Sequence, residues 1–265
     1  METLMLLKNK CAIITGIASN RSIAYAIAKT MQQHGANIIL TYPNENMKTR
    51  IIKLFPDISP DMLLPCDVSS DEQLMNLSSL IPKTIQTIDI IIHSIAFAPQ
   101  EQLSGKLSEN INRAGFLSTQ EVSVYSFPAL IQSLRQFLKP QSCALTLSYI
   151  GAKRAVPNYN VMGIAKAGLE ASVRYLAYEL GPEGIRVNCI SAGPIKTLAA
   201  AGIKGFRNML KYDHDTSPLP GNTETQEVAD TSVFLCSNMA AGITGQTLYV
   251  DHGFHITAFS GAMNE

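Results

Sequence analysis

Short apolar runs alternate along the chain with longer stretches in which apolar residues recur every three or four positions. The short runs predict buried β-strands, and the longer stretches predict amphipathic helices. Strands are predicted at 11–15, 37–42, 62–66, 88–92, 144–147, 185–190 and 247–250, and helices at 23–34, 47–55, 72–81, 160–180 and 226–237. This order predicts an α/β fold of Rossmann type, a doubly wound parallel sheet of about seven strands with right-handed crossovers.

The stretch from about 108 to 138 has a mostly helical pattern, and Pro128 predicts a kink or a break within it. Neither an internal repeat nor a linker interrupts the order of elements. Residues 1–265 are therefore predicted to form a single domain, in which the excursion at about 195–220 supplies a helical lid.

The composition is that of a globular protein, with 46% hydrophobic and 16% charged residues. Lys and Arg number 21 and are balanced by 21 Asp and Glu, so net charge gives no support for binding nucleic acid or an acidic membrane surface. The five cysteines are far apart and lie mostly in apolar runs, which predicts buried free thiols and a cytoplasmic protein. Cys and His spacing predicts no metal site, and no apolar stretch reaches the ~18 residues of a membrane span.

Two tyrosines and one lysine are the strongest candidates for chemistry. Tyr149 lies at the carboxyl end of a predicted strand, and Tyr159 begins the helix at 160–180. Seven helical residues bring Lys166 to within about 20° of the face of Tyr159 and about 10 Å along the axis, a separation that suits the two ends of a ribose with its nicotinamide. A nearby ammonium favours the phenolate and eases proton donation to a developing oxyanion, so the pattern predicts proton supply beside a hydride donor.

The same spacing is also compatible with an ordinary helix start followed by a solvated lysine, and Tyr149 could be a structural residue at a strand end. The other motifs of the chain distinguish these interpretations from a catalytic one. The turn after the first strand has one glycine, Gly16, in place of the three in G-x-G-x-x-G. Ser22 is expected to cap the following helix and, with the Ile23 amide, to offer donors to a pyrophosphate. The pairs Asp67-Val68 and Ser94-Ile95 follow later strands, where the adenine and the nicotinamide ribose pass in a Rossmann fold.

The chain resembles the bacterial enoyl-acyl-carrier-protein reductases of the FabI type, in the short-chain dehydrogenase/reductase superfamily. The resemblance extends over nearly the whole chain and is carried by TGIASNRSIAYAIA, CDV, HSIAFA, LSYIGAKRAVPNYNVMGIAKA, RVNCISAGPIKTLAA and GQTLYVDHGF. Commoner members of the superfamily have Y-x3-K, but the position four after Tyr159 is Gly163 here. Only Lys166 fits the lysine of the family, and this spacing indicates enoyl rather than ketoacyl reduction.

The resemblance implies hydride transfer from NADH to C3 of a trans-2-enoyl thioester, the last step of the type II fatty acid elongation cycle. Tyr159 is then expected to bind the enolate oxygen and Lys166 to bind the nicotinamide ribose. Tyr149 is expected to orient the substrate or simply to line the pocket. The implied partner is an acyl carrier protein carrying the enoyl chain, and the implied assembly is a homotetramer.

Carried over position by position, the resemblance assigns further site residues. The cofactor positions are Gly16, Ser22, Ile23, Pro43, Asp67, Val68, Ser94, Ile95, Lys166, Ile195, Thr197, Leu198 and Ala199, and the substrate positions are Ala98, Tyr149, Tyr159, Ile203 and Phe206. Pro43 replaces a residue that is often polar, which removes a hydrogen bond to the adenosine ribose. His252 replaces a glycine of the closing motif and is expected at a subunit contact rather than in catalysis.

The segment 198–211 is expected to be a mobile amphipathic lid that Gly202 and Gly205 help to open. One predicted face carries apolar side chains toward the acyl chain, namely Ile203, Phe206 and Leu210. An adjoining face carries Lys204, Arg207 and Lys211, a local basic patch for the strongly acidic carrier protein.

NADH is expected over NADPH, because the end of the second strand, 41–45, has no cation for a 2′-phosphate and carries Glu45. Two other functions stay open at this point. A carbonyl reductase of the same superfamily usually has Y-x3-K and a serine about 13 residues before the tyrosine, where this chain has Thr146. A dinucleotide-binding regulatory protein without turnover is expected to lack Tyr159 or Lys166, and both are present.

Overall fold

The computed structural model describes residues 5–198 and 200–258. Seven parallel strands form one sheet in the order β3-β2-β1-β4-β5-β6-β7. They are β1 Cys11–Ile14, β2 Asn37–Tyr42, β3 Leu63–Pro65, β4 Ile90–His93, β5 Cys143–Ser148, β6 Arg186–Ala192 and β7 Thr247–Val250. The strand order reverses between β1 and β4, and in such sheets a ligand crevice opens at the carboxyl ends on either side of that point.

Helices cover both faces of the sheet. They are α1 Ile23–Gln33, α2 Glu45–Leu54, α3 Asp71–Leu80, α4 Leu107–Asn110, α5 Arg113–Gln120, α6 Ser126–Ser133, α7 Asn160–Leu180, α8 Phe206–Thr216 and α9 Thr225–Cys236. Side chains of the inner strands alternate between two cores, so Ile90 and Ile92 pack in one and Ile91 packs in the other, whereas no residue of the edge strand β7 is fully buried. Because both faces are buried, the strands are continuous apolar runs rather than alternating ones.

The seven predicted strands are confirmed, and the helix at 160–180 has the predicted bounds. The prediction of a break at Pro128 is wrong, since Pro128 is the third residue of α6. A π-helical turn, Glu121–Tyr125, joins α5 to α6 directly before it. Proline cannot donate a backbone hydrogen bond, and the wider turn accommodates that loss without ending the helical path.

The predicted lid is not one helix. A short 3-10 turn, Ala200–Gly202, is followed by α8, and Gly205 precedes α8 with a φ of 81°. Only glycine adopts that left-handed conformation readily, so the chain changes direction there. Within residues 5–198 and 200–258, no helix is both long and apolar enough to cross a membrane.

Candidate active site

A cleft of about 1130 Å³ opens at the carboxyl ends of the central strands. Every predicted cofactor and substrate position lines it except Ala199, which lies outside the described residues. The chain segments that meet there follow β1, β2, β3, β4, β5 and β6 and include the start of α8. This convergence matches the crevice expected from the strand order.

The turn after β1 makes close contact with the end of β4. Gly16 has a φ of 88°, and a Cβ on it would lie 1.9 Å from the carbonyl oxygen of Ser94. Any larger residue is therefore excluded, and the backbone stays open to a ligand. This cradle, together with a helix start at Ile23 whose first amides have no intrahelical partner, fits a dinucleotide pyrophosphate.

Ser22 acts differently from the prediction. Its side chain does not cap α1, because Oγ accepts hydrogen bonds from the amides of Ala18 (3.0 Å) and Ser19 (2.8 Å). Those bonds hold the turn in shape and leave the hydroxyl hydrogen available as a donor. Ser22 also lines the cleft, so that hydrogen suits a phosphate oxygen.

Tyr149 and Tyr159 form an aromatic pair in the cleft, with ring centroids 5.1 Å apart and an interplanar angle of 69°. Tyr149 follows β5 directly, and Tyr159 precedes α7. Burial raises the pKa of both phenols. The neighbouring Tyr149 raises the pKa of Tyr159 further, and the nearby Asp213 and Asp251 raise that of Tyr149 further. The expected shift toward phenolate is therefore wrong for the unliganded site, and both hydroxyls are protonated donors at neutral pH.

Lys166 lies on α7 about two helical turns after Tyr159, and it lines the same cleft. Its Nζ donates to the carbonyl oxygen of Leu147 at 2.7 Å. Burial lowers the pKa of Lys166 to about 8, while Cys189 and Glu170 act in the opposite direction. The side chain is thus an ammonium at neutral pH, close enough to its pKa to respond to neighbouring charge.

Comparison with known proteins shows the family of the chain. A sequence profile described as "Enoyl-(Acyl carrier protein) reductase" matches residues 16–255. This chain belongs to the enoyl-acyl-carrier-protein reductase family. It is 47% identical over 252 residues, 95% of its own length, to the Haemophilus influenzae enoyl-[acyl-carrier-protein] reductase [NADH], of which the match covers 96%.

Two solved structures extend the likeness to three dimensions. The enoyl-acyl carrier protein reductase of Bacillus cereus, with NADP+ and indole naphthyridinone, has a TM-score of 0.91 and 41% identity, covering 96% of this chain and 99% of that one. The Anaplasma phagocytophilum enzyme in complex with NAD has a TM-score of 0.91 and 36% identity, covering 99% and 98%.

Gly151 and Gly163 shape the tyrosine pair of this reductase. A Cβ on Gly163 would lie 2.9 Å from the carbonyl oxygen of Gly151, so the position that carries lysine in Y-x3-K relatives has no room for a side chain here. A Cβ on Gly151 would lie 2.4 Å from Cδ1 of Tyr159. Sequence reasoning missed both constraints, because they depend on contacts between segments.

Gly151→Ala is expected to lower kcat about tenfold, since the ring of Tyr159 must move and small misplacements of catalytic groups cost rate steeply. Steady-state kinetics on an enoyl thioester measure this. The matched control is Gly181→Ala, because a Cβ on Gly181 meets nothing within 4 Å. Equal kinetics for the two variants contradict the packing argument.

The lid of the reductase meets the tyrosine pair through a residue that sequence reasoning missed. The hydroxyl of Tyr149 donates to Sδ of Met209 at 3.1 Å. Ile203 and Phe206 line the cleft as predicted, but Leu210 is buried without lining it, and Met209 takes that place. Ile203 lies before α8, which begins at Phe206 after the turn at Gly205, so the three predicted residues do not share one helical face.

The carbonyl-reductase alternative loses support at Thr146. Its Oγ1 is buried in a hydrogen bond with Nδ1 of His93 (2.9 Å), and Nε2 of His93 is bonded to Ser126 (2.8 Å). Burial, followed by the charge of Lys166, lowers the pKa of His93 to about 3, so the imidazole is neutral. Thr146 therefore fills a structural role in the core and does not line the cleft.

The end of the cleft where adenosine is predicted to bind is lined by Pro43, Asp67 and Val68, together with Thr41 and Met47. Oδ1 of Asp67 accepts hydrogen bonds from the amide (3.0 Å) and hydroxyl (2.7 Å) of Ser69, which fixes the carboxylate at the cleft wall. Pro43 lines the cleft, and the weaker hold on an adenosine ribose expected from it stays a prediction.

His252 is bonded within the chain. Nε2 lies 2.9 Å from Oε1 of Glu227, at the start of α9, and the φ of His252 is 53°. Burial lowers the pKa of His252, but the bond to Glu227 and its charge outweigh burial and raise it. The subunit contact expected for His252 stays a prediction. Among the described residues, no cluster of His, Cys, Asp or Glu suits a metal ion.

Proposed function

We propose that this reductase transfers hydride from NADH to the C2=C3 double bond of trans-2-enoyl-acyl-carrier-protein thioesters, in the last step of bacterial type II fatty acid elongation. The observation that carries the proposal is the aromatic pair of half-buried Tyr149 and buried Tyr159 beside Lys166, in the cleft that also contains the Gly16 cradle. Membership of the family supports the substrate class, since the Haemophilus relative is a reductase of enoyl-acyl carrier protein with NADH.

NADH, when bound, supplies the hydride. Tyr159 donates its hydroxyl hydrogen to the thioester oxygen, where negative charge develops, and the raised pKa keeps that hydrogen in place before the reaction. Lys166 donates to the nicotinamide ribose, and Tyr149 orients the thioester from the end of β5. The apolar lining, including Ile203, Phe206 and Ala98, takes the acyl chain and excludes water.

Purified protein with NADH and a trans-2-enoyl thioester should consume NADH and release the saturated thioester, followed by absorbance and mass spectrometry. A 3-oxoacyl thioester serves as the contrasting substrate. Reduction of the 3-oxo group at a comparable rate would identify a carbonyl reductase. NADH binding without turnover of either substrate would support a regulatory protein.

NADH should be used in preference to NADPH, by about tenfold in kcat/KM, which is worth about 1.4 kcal/mol. Within the described chain, Lys48 is the cation nearest the end of β2 in sequence, and it is 3.4 Å from Glu45 and lies over the ring of Tyr42. Arg50 donates to the carbonyl of Ala18 in the turn after β1. Neither cation is free to bind a 2′-phosphate without losing these contacts.

Initial rates with each cofactor at matched concentrations measure the preference. Glu45→Gln provides the internal control, since removing its charge should raise kcat/KM for NADPH and leave that for NADH unchanged. Equal or better turnover of NADPH by the natural chain contradicts the prediction.

We infer that the protein assembles as a homotetramer through the outer face of α7. Ile164, Tyr175 and Tyr178 form an exposed apolar stripe on α7, with 42%, 78% and 87% of their surface accessible. Leu117 on α5 and Tyr125 on the π-helical turn are also exposed, at 56% and 46%, and both of these elements pack against α7. Exposed apolar side chains on neighbouring elements favour burial against a second copy.

Sedimentation velocity is expected to give a tetramer for the natural chain and smaller species for Tyr178→Asp. The exposed Tyr212→Asp, on α8, is a control for the added charge. Retention of the tetramer by both variants contradicts the α7 interface.

A cytoplasmic location is also proposed, supported by the five cysteines, all of them buried and free.

A further inference from the structure

Helix α7 binds two consecutive residues of β5 through side chains one turn apart. Lys166 Nζ donates to the Leu147 carbonyl at 2.7 Å, and Glu170 Oε1 accepts from Ser148 Oγ, also at 2.7 Å. Lys166 is 6% exposed and Glu170 1%. These contacts fix the last two residues of the strand that leads directly into Tyr149.

Burying the Glu170 carboxylate at this position costs free energy of folding. Its Oε2 is 3.2 Å from Lys153 Nζ, within ion-pair distance, but that contact lacks hydrogen-bond geometry and Oε2 accepts no other hydrogen bond in the described chain. The Lys153 side chain is 51% exposed, so water screens it and it compensates the buried charge only in part. A buried carboxylate with incomplete partners destabilises a fold, so packing alone does not account for it.

We propose that Glu170 is a positioning residue of the reductase site, whose carboxylate, held by Ser148 and Lys153, keeps the buried Lys166 side chain charged toward the cofactor. The inference rests on the proposed role of Lys166 in binding NADH. It adds the charge one turn behind Lys166 as a requirement for that role.

Of the groups that surround it, Glu170 is the one that can keep the Lys166 side chain charged. The titratable and polar groups facing it are Ser148 on β5, Cys189 on β6, Tyr249 on β7, Lys153 after the turn Ile150–Ala152, and Lys166 and Arg174 on α7. Burial raises the pKa of the Cys189 thiol to about 12 and also raises that of Tyr249. Among these groups, Glu170 is the only carboxylic acid.

The sign of the effect on Lys166 follows directly. Burial lowers its pKa to about 8, and Glu170 acts against that shift. The ammonium is present below this pKa and is lost as pH rises through it. Removing the charge of Glu170 should therefore lower the pH at which cofactor binding fails.

Fluorescence titration with NADH across pH tests the proposal apart from turnover. The natural protein should lose affinity as pH rises above about 8. Glu170→Gln, which keeps an acceptor for Ser148, should lose it about one pH unit earlier, which raises Kd about fivefold at about pH 8, about tenfold above about pH 9 and less than about twofold at about pH 6.5.

Three variants separate the outcomes. Glu170→Asp keeps the charge and should restore a profile close to the natural one, and Glu179→Gln, an exposed carboxylate on the same helix, should leave it unchanged. Lys166→Ala is the reference, since normal NADH binding by that variant would overturn the proposed role of Lys166 itself. If Lys166→Ala loses affinity for NADH, the proposed role of Lys166 stands. The inference about Glu170 is then overturned by itself if Glu170→Gln loses the same affinity at every pH, or loses none. Should Glu170→Gln fail to fold, an NADH affinity of the natural protein that stays flat between about pH 7 and 9.5 overturns it.

Discussion

Tyr159→Phe is expected to lower kcat on an enoyl thioester by about 10²–10³-fold, the usual cost of removing one donor to a developing oxyanion. The hydroxyl is buried and stays protonated, because burial raises its pKa. The substitution keeps the ring, so the edge-to-face contact with Tyr149 is retained. Because the lost bond forms fully only in the transition state, kcat should fall while KM for NADH changes little.

Tyr149→Phe is the matched control, since it removes the same atom from the other ring of the pair. Its hydroxyl donates to Met209 Sδ at 3.1 Å and must exchange that bond for substrate. A smaller loss is expected, shared between kcat and KM for the thioester. Near-natural kcat for Tyr159→Phe together with a large loss for Tyr149→Phe would reverse the two assignments.

Lys166→Ala completes the comparison. Its main effect is expected on cofactor binding, seen as a higher Kd for NADH in a fluorescence titration. Removing the buried side chain also takes a hydrogen bond from the Leu147 carbonyl and removes the positive charge near Glu170, so thermal stability should be measured alongside. Lys166→Met keeps most of the volume and separates lost packing from lost charge.

The sheet could be predicted from the sequence because a parallel sheet covered on both faces leaves a strong local signal. Each strand is an apolar run whose neighbours in the sheet fill both cores, and β4 with its three isoleucines is an example. The relation of Tyr159 to Lys166 was equally local, since it depends only on the helical repeat of α7. Such features need no knowledge of what packs against them.

The electrostatics of the site could not be predicted in that way. The sequence places an ammonium near Tyr159 and indicates a lowered phenol pKa, whereas burial dominates and raises it. Glu170 has the sequence pattern of an ordinary helix carboxylate, and only the fold turns it against Ser148. Desolvation depends on every segment around a group, so it becomes visible only when the segments are assembled.

The lid illustrates a third limit, that of helical phase. A periodicity argument assumes that the helix runs through the whole segment, but Gly205 adopts a left-handed conformation and restarts it. Within α8, Met209 rather than Leu210 lines the cleft with Phe206, which depends on how α8 packs and not on its sequence pattern. The basic side chains are less sensitive to this shift, and Lys204, Arg207 and Lys211 are all exposed as predicted.

Reversing two of these charges, in Lys204→Glu with Arg207→Glu, is expected to lower kcat/KM for a carrier-protein-bound enoyl substrate about 10- to 100-fold at low salt. Within the described residues, neither side chain forms an ion pair, so both are available to an acidic partner. The loss should shrink as salt rises, because exposed charges beyond a Debye length of about 8–10 Å are screened at physiological ionic strength.

The control must separate docking from an effect on the lid itself. Lys204 lies next to Gly205, where the carbonyl of Lys204 accepts from Asn158 at 2.9 Å, so its replacement could disturb the start of α8. A coenzyme A thioester is itself anionic, and an uncharged N-acetylcysteamine enoyl thioester is the better comparison. That substrate enters the same cleft without a carrier protein and should keep its kcat/KM in the double variant. Equal losses on the carrier-bound and the uncharged substrate would assign the two cations to lid structure, whereas a loss confined to the carrier-bound one places the acidic protein against the exposed face of 204–211.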